Sequence, residues 1–152
     1  MDIAEITKKM IDCSDGNLHD ICHFLKVYAY AKTIGECEKL DSRTQFTLET
    51  AALMHDIACP LCRAKYGNTN GKYQEKEGPA VAEPMLLALG YDEAVIDRVL
   101  FLIAHHHTYN EIEGLDYQIL VEADFLVNLF EDGSSREAAQ KVQKNIFKTN
   151  TG

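Results

Sequence analysis

Long hydrophobic runs are missing from this sequence of 152 residues. No apolar stretch approaches the roughly 18–20 residues that a helix needs to span a bilayer. The N-terminal segment from Met1 to Glu5 also lacks the basic start and apolar stretch of a secretory signal peptide. These absences argue against a membrane partner and predict a cytoplasmic location.

Basic charge is scarce as well. The chain has 15 lysines and arginines against 24 aspartates and glutamates, a formal net charge of −9. Because a general nucleic-acid binder normally needs a basic face to displace counterions, we expect no nucleic-acid partner. The same acidity would repel a phosphorylated substrate unless a bound divalent metal supplied positive charge locally.

Disulfide chemistry is not indicated, since the five cysteines are an odd number in a chain with no secretory signal. Cys59 and Cys62 have C-x-x-C spacing, but a structural zinc site usually needs a second such pair. No βαβ pattern supports a thioredoxin-like motif. The sequence therefore assigns this pair no role.

Strand-like alternation is absent too, whereas helical spacing of apolar residues runs through the chain. We predict an all-α fold: one compact bundle of about six or seven helices over residues 1–152, with its core at about 18–131 and a C-terminal helix at about 135–147. The predicted N-caps are Asn17, Ser42, Asp92, Asp116 and Ser134.

A polar loop is predicted at residues 58–76, between the third and fourth helices. The Gly78-Pro79 pair is expected to open the fourth helix, since proline suits the first helical position. Pro84 should then kink that helix or reset its start.

The pair His55-Asp56 is the most informative feature that is present. It ends an apolar, helix-like run, and a histidine beside a carboxylate at a helix terminus can place two metal ligands at one point. His23 lies on an earlier amphipathic helix, where a core histidine is the simpler explanation when it is taken alone.

Asp124 lies in the middle of the apolar stretch Leu120–Val127. Burying an ionised carboxylate without a partner is very costly, so this side chain needs a cation, a metal or an exposed face. We expect Glu122 to take the exposed face and Asp124 to point inward.

Three consecutive histidines, His105, His106 and His107, end the fifth predicted helix. Successive helical residues point about 100° apart, so one site cannot easily take all three. One or two could bind a metal or a phosphate oxygen. The alternative is that the imidazoles favour the negative end of the helix dipole.

The chain resembles the HD-domain superfamily of metal-dependent phosphohydrolases. The resemblance rests on the order, spacing and helical context of three stretches and covers about residues 18–131. These stretches are HFLKV at 23–27 with Ala31, LMHDI at 53–57 and LVEADFL at 120–126.

What the resemblance implies is a divalent metal ion (Mn, Fe, Mg, Zn, Co or Ni) at the centre of the fold. Its ligands would be His23, His55, Asp56 and Asp124. Members with two metals carry additional histidines, and His105 or His106 fits one of those places. The other place, ahead of the fourth helix, holds Gln74, Glu75 and Glu77 instead, which leaves open a carboxylate substitute or a single-metal site.

The activity implied by the resemblance is hydrolysis of a phosphate ester by a phosphomonoesterase or phosphodiesterase, with a nucleotide or similar small metabolite as substrate. Asp56 would orient the attacking water, and His105 or His106 would protonate the leaving oxygen or contact the phosphate. Lys65 is the nearest equivalent of a lysine that follows the His-Asp pair in many members. Together with Arg63, it is a candidate phosphate clamp.

Other functions stay open on the same fold. A regulatory module could hold a metal and a nucleotide without turnover, as a sensor. A di-iron oxygenase would need a complete two-metal site, and a purely structural bundle would give Asp124 no reason for burial. A homodimer is one assembly we consider.

Overall fold

The computed structural model describes residues 2–152, and these form eight α-helices and no strand. The helices are α1 (Ile3–Cys13), α2 (Leu18–Cys37), α3 (Ser42–Met54), α4 (Cys59–Tyr66), α5 (Gly71–Ala88), α6 (Glu93–His105), α7 (Leu115–Glu131) and α8 (Arg136–Ile146). The predicted compact all-α fold is confirmed, with one helix more than the upper estimate.

The additional helix is α4, which lies within the predicted loop at 58–76. Pro60 sits at its start, where the missing N–H has no helical partner to lose. Gly67 ends it with a φ of 73°, a conformation that glycine adopts without a steric penalty. The loop prediction was wrong because a helix of only eight residues shows too little hydrophobic spacing to stand out.

The start predicted at Gly78-Pro79 was also wrong. Helix α5 begins at Gly71, where the Asn70 side chain accepts a hydrogen bond from the Lys72 N–H at 3.0 Å. Both Pro79 and Pro84 lie inside this helix, so neither resets its start.

Gly78 has a packing role instead. A Cβ atom at this position would come within 2.5 Å of the Ile103 side chain on α6. The missing side chain therefore lets α5 and α6 approach closely.

Two predicted caps are confirmed: the side chains of Asn17 and Asp92 accept hydrogen bonds from the Asp20 and Val95 N–H groups, each at 3.1 Å. Two others shift by one residue, because Asp41 caps α3 in place of Ser42, and Ser135 caps α8 in place of Ser134. Short polar side chains stand side by side at both helix starts, and the pattern did not distinguish between them.

Helix α7 begins differently from the prediction, with Gly114 at the N-cap and Asp116 in the first turn. The Asp116 carboxylate accepts hydrogen bonds from Arg98 Nε at 2.8 Å and Nη2 at 2.7 Å. It is therefore the partner of an arginine on α6 and not the helix cap.

Glu122 does not face solvent, contrary to the expectation. It is fully buried, and its Oε1 accepts hydrogen bonds from the Lys148 and Thr149 N–H groups at 2.6 and 3.0 Å. Its charge is satisfied by the C-terminal segment, which folds back onto α7. Such a distant partner has no local signal in the sequence.

Helices α2, α3 and α7 pack against one another at the centre, α6 packs on α3, and α5 covers α6. Their shared core is apolar; its fully buried members include Phe24, Val27, Leu48, Leu53, Met54, Leu102, Ile103, Leu120 and Val121. Within the part of the chain that the structure describes, no helix is both long and apolar enough to cross a membrane.

Candidate metal centre

Three helices bring His23, His55 and Asp124 to one point. The Nε2 atoms of the two histidines are 3.1 Å apart. Asp124 Oδ1 lies 3.3 Å from His23 Nε2 and 3.6 Å from His55 Nε2. All three residues are buried, and they come from α2, the end of α3 and α7.

These separations fit a shared cation. Ligands at about 2.1 Å from one ion, in tetrahedral or octahedral geometry, stand roughly 3.0–3.4 Å from each other. Two imidazole nitrogens and a carboxylate oxygen are also a donor set that suits divalent metals from Zn to Mn and Fe. Two of the three separations, 3.1 and 3.3 Å, lie within this range, and the third, 3.6 Å, is just above it. The residues therefore fit a divalent metal closely in spacing and fully in chemistry.

A second group adjoins the first through Asp56. Its Oδ1 lies 3.0 Å from His106 Nε2 and 3.6 Å from His107 Nε2, whereas its Oδ2 lies 3.7 Å from His55 Nε2. The two oxygens of Asp56 thus face different imidazoles. Two further sets of ligand atoms overlap here: His55, Asp56 and His106 form one, and His106, His107 and Asp124 form the other.

The ring orientations are fixed by the nitrogens that point away from the centre. Nδ1 of His55 and Nδ1 of His106 each donate a hydrogen bond at 2.8 Å to a backbone carbonyl, of Ala52 and Ile103 respectively. Because a carbonyl oxygen only accepts, these Nδ1 atoms carry hydrogen, and Nε2 is the atom left for a metal.

The acids and bases of the cluster shift one another's pKa. Burial lowers the pKa of His55, but the Asp56 and Asp124 carboxylates outweigh burial and raise it to about 9. Burial raises the pKa of Asp56, yet His55 and the histidines of the second group hold it well below its usual value. The cluster therefore keeps the Asp56 carboxylate ionised and, without a cation, favours a proton on His55.

The pKa values of Asp124 and His106 are both lowered, against the effect of burial for Asp124 and in line with it for His106. Burial raises the pKa of Asp124, but the neighbouring imidazoles of His23 and His55, with Nε2 atoms 3.3 and 3.6 Å away, lower it below its usual range. For His106, burial and the neighbouring His107 both lower the pKa. With its Nδ1 hydrogen on a carbonyl, His106 directs Nε2 at Asp56 Oδ1, 3.0 Å away.

His107 belongs to the cluster although it was not among the site residues predicted from the sequence. The argument that successive residues diverge by about 100° holds only within a helix. Helix α6 ends at His105, and the turn that follows directs His106 and His107 to the same carboxylate.

The structure does not bring His105 and Lys65 to the cluster. His105 stacks on Phe101 with ring centroids 4.2 Å apart, and its Nδ1 donates to the Phe101 carbonyl at 2.7 Å. Lys65 Nζ lies 2.8 Å from Glu77 Oε1 on an exposed surface.

The three candidate replacements for a missing histidine also lie outside the ligand groups. Glu75 Oε1 accepts hydrogen bonds from the His107 N–H at 3.0 Å and the Thr108 hydroxyl at 2.8 Å, so it holds the turn that carries His107. Glu77 pairs with Lys65, and the buried Gln74 amide lies beside Cys59.

A cavity of about 260 Å³ opens onto the cluster. Its lining includes His23, Asp56 and His107, together with the Asp20–Arg63 pair on one wall. Arg63 donates to the buried Asp20 carboxylate through Nη1 at 2.7 Å and Nη2 at 2.6 Å, while 40% of its side chain remains exposed. Two hydrogen bonds to Asp20 thus orient this guanidinium in the wall of the cavity.

Comparison with known proteins identifies the family of this chain. The HD-domain family model matches residues 19–146, and the chain belongs to that family. The family is one of metal-dependent hydrolases. A similar solved structure is that of a predicted HD superfamily hydrolase from an uncultured Thermotogales bacterium. It is 25% identical, with a TM-score of 0.64, and the match covers 95% of this chain and 82% of that one. No curated protein matches.

Proposed function

We propose that this protein is a phosphohydrolase that cleaves a phosphate ester of a small metabolite, with nucleotides as the first candidates. The observation that carries the proposal is the convergence of His23, His55 and Asp124 within 3.6 Å of one another. Membership in a family of metal-dependent hydrolases supports the type of reaction.

Two cations are proposed, with Asp56 shared between them. The first would be held by His23, His55, Asp56 and Asp124. The second would be held by Asp56, His106 and His107. When bound, such cations supply positive charge for the phosphoryl oxygens and lower the pKa of the attacking water toward neutrality.

The protein's own residues then position the substrate. Asp56 is only partly buried and faces the cavity, where a carboxylate oxygen can orient water. Arg63 presents N–H donors to the same cavity in a planar array that matches phosphate geometry. Its pairing with Asp20 orients it before the substrate arrives, so little conformational entropy is lost on binding.

The test combines metal content with phosphate release. Wild-type protein would be stripped of metal, reloaded with Mn, Co, Fe, Mg, Zn or Ni, and supplied with a panel of nucleotides and sugar phosphates. We expect two bound cations per chain and release of inorganic phosphate that disappears on chelation. A protein that binds metal yet hydrolyses neither phosphate monoesters nor phosphate diesters would contradict the proposal, and tight nucleotide binding without turnover would favour a sensor.

A matched pair of variants separates the roles of neighbouring histidines. His107→Gln should lose one cation per chain and most of the activity, because His107 faces Asp56 at 3.6 Å. His105→Gln should keep both, because His105 points to the Phe101 carbonyl. If His107→Gln retains two cations but loses activity, His107 acts on the substrate and is not a metal ligand.

One observation favours a second candidate, an oxygenase. A di-iron oxygenase needs a complete two-metal site, and the sequence of this chain had one histidine too few for it. The structure now places a further imidazole, that of His107, beside Asp56. Iron-loaded protein that consumes O₂ with an organic substrate and releases no phosphate would support this function over hydrolysis.

A further inference from the structure

His23 differs from the other inner histidines in the group that fixes its ring. His55 and His106 donate from Nδ1 to neutral backbone carbonyls. His23 Nδ1 instead lies 2.9 Å from a carboxylate oxygen, Oε2 of Glu131. A carboxylate is the stronger acceptor, and it makes the opposite imidazole nitrogen a better electron donor.

Glu131 is held firmly in this position. Its Oε1 accepts a hydrogen bond from Lys26 Nζ at 2.6 Å, and only 12% of its side chain is exposed. Lys26 lies about one helical turn after His23 on α2. The same helix therefore carries both the imidazole and the positive charge that contact the Glu131 carboxylate. Both oxygens of Glu131 are therefore engaged on α2.

The same face of α7 carries the rest of the support. Asp124, Asn128 and Glu131 follow one another at i, i+4 and i+7, the spacing of one helical stripe. Asn128 Nδ2 donates to Asp124 Oδ1 at 2.9 Å, the same oxygen that lies nearest His23. One stripe thus provides a candidate ligand, a group that orients that ligand and a group that orients His23.

We propose that Glu131 is a positioning residue of the metal centre, which holds His23 with hydrogen on Nδ1 and Nε2 directed at the cation. This inference rests on the proposed site of His23, His55, Asp56 and Asp124. Groups that support a ligating histidine in this way typically change metal affinity by about 10–100-fold when they are replaced.

The experiment measures cobalt binding to metal-free protein by calorimetry and by the visible absorption of Co²⁺. Glu131→Gln keeps the shape and an oxygen acceptor but removes the charge, and we expect about a tenfold higher Kd with an altered Co²⁺ spectrum. Glu131→Ala also removes the acceptor and should raise Kd by nearer 100-fold.

Glu122→Gln is the matched control. Glu122 lies on the same helix and is buried, but its partners are in the C-terminal segment. It should lower the thermal stability of the metal-free protein and leave the Co²⁺ Kd and spectrum within experimental error of wild type. If Glu131 had only a structural role, Glu131→Gln would likewise lower thermal stability and leave the Co²⁺ Kd and spectrum unchanged.

The outcomes distinguish the role of Glu131 from the proposed metal centre on which it depends. Wild-type protein that binds no Co²⁺ would overturn both the metal centre and the role of Glu131. Wild-type binding with an unchanged Kd and spectrum in Glu131→Gln and Glu131→Ala would overturn the role of Glu131 alone. Folded fractions from circular dichroism correct each Kd, and the isosteric glutamine variant serves if the alanine variant does not fold.

Discussion

Replacing Asp124 by asparagine should greatly weaken metal binding and leave the shape of the site almost unchanged. The amide has the size of the carboxylate and retains an oxygen for the hydrogen bond from Asn128. What disappears is the negative charge that lies 3.3 and 3.6 Å from the Nε2 atoms of His23 and His55. A divalent cation at this point would lose a charged ligand.

The size of the effect follows from linkage between binding and folding. A cation present at 100 times its Kd stabilises the folded state by about 2.7 kcal/mol. For a chain of 152 residues, each kcal/mol moves Tm by roughly 2–4 °C, so the cation held by Asp124 should by itself raise the wild-type Tm by about 5–11 °C. A Kd that is 100-fold weaker in the variant leaves about 0.4 kcal/mol, or roughly 1–2 °C.

The assay is thermal unfolding by calorimetry, with chelator or with Mn²⁺ at 100 times the wild-type Kd. Asp116→Asn is the control, since Asp116 is also buried on α7 but pairs with Arg98 away from the cluster. The Asp116→Asn variant should unfold at a lower temperature than wild type in chelator, yet its Tm should rise on metal binding as much as that of wild type. An equally large rise in Asp124→Asn would refute the ligand assignment.

Three further changes test other parts of the structure. In metal-free protein the pKa of His55 is raised to about 9, so its contribution to stability is complete below its unfolded value near 6.5 and is lost as pH rises through about 9. Urea unfolding in chelator should show a decline of at most about 3 kcal/mol over this range, and His55→Gln should flatten it. Arg63→Gln should raise KM for a phosphorylated substrate about tenfold, and it should destabilise the fold by about 1–3 kcal/mol because the buried Asp20 loses its partner. Adding Asp20→Asn should restore stability in urea unfolding but leave KM raised in steady-state kinetics. Recovery of both stability and KM in the double variant would disprove the phosphate contact. Gly114→Ala should cost about 1–3 kcal/mol in urea unfolding, because the backbone φ is 87° and a Cβ would lie 2.6 Å from Arg98 Nη2; an unchanged midpoint would contradict the strain.

Local chemistry made part of this site predictable. His55 and Asp56 are adjacent in sequence, and Asp124 is a carboxylate in an apolar helix that needs a buried partner. Helical spacing was enough to put His23 on the edge of an inward face. The structure brings these four residues together.

Sequence reasoning missed two residues, His107 and Glu131. The first reaches the site because of where a helix ends, and the second contacts a partner far away in the sequence. His107 reaches Asp56 because α6 stops at His105, and helix boundaries are the least certain part of any pattern. Glu131 is separated from His23 by 108 positions, so no local rule links them. A search for polar residues at i+4 and i+7 from Asp124 would have found the stripe on α7, since it continues the same helical face.

The buried cluster needs positive charge, and two sources can supply it. Without metal, the ionised Asp56 and Asp124 are balanced by protons on imidazole, which is why the pKa of His55 rises although burial alone would lower it. A divalent cation would replace those protons and carry the charge to the same point, so metal binding should release protons and weaken as pH falls. Because His23 and Asp124 belong to α2 and α7, the occupant of the cluster also joins two of the three central helices. We therefore expect metal affinity and the free energy of unfolding to be coupled in this chain.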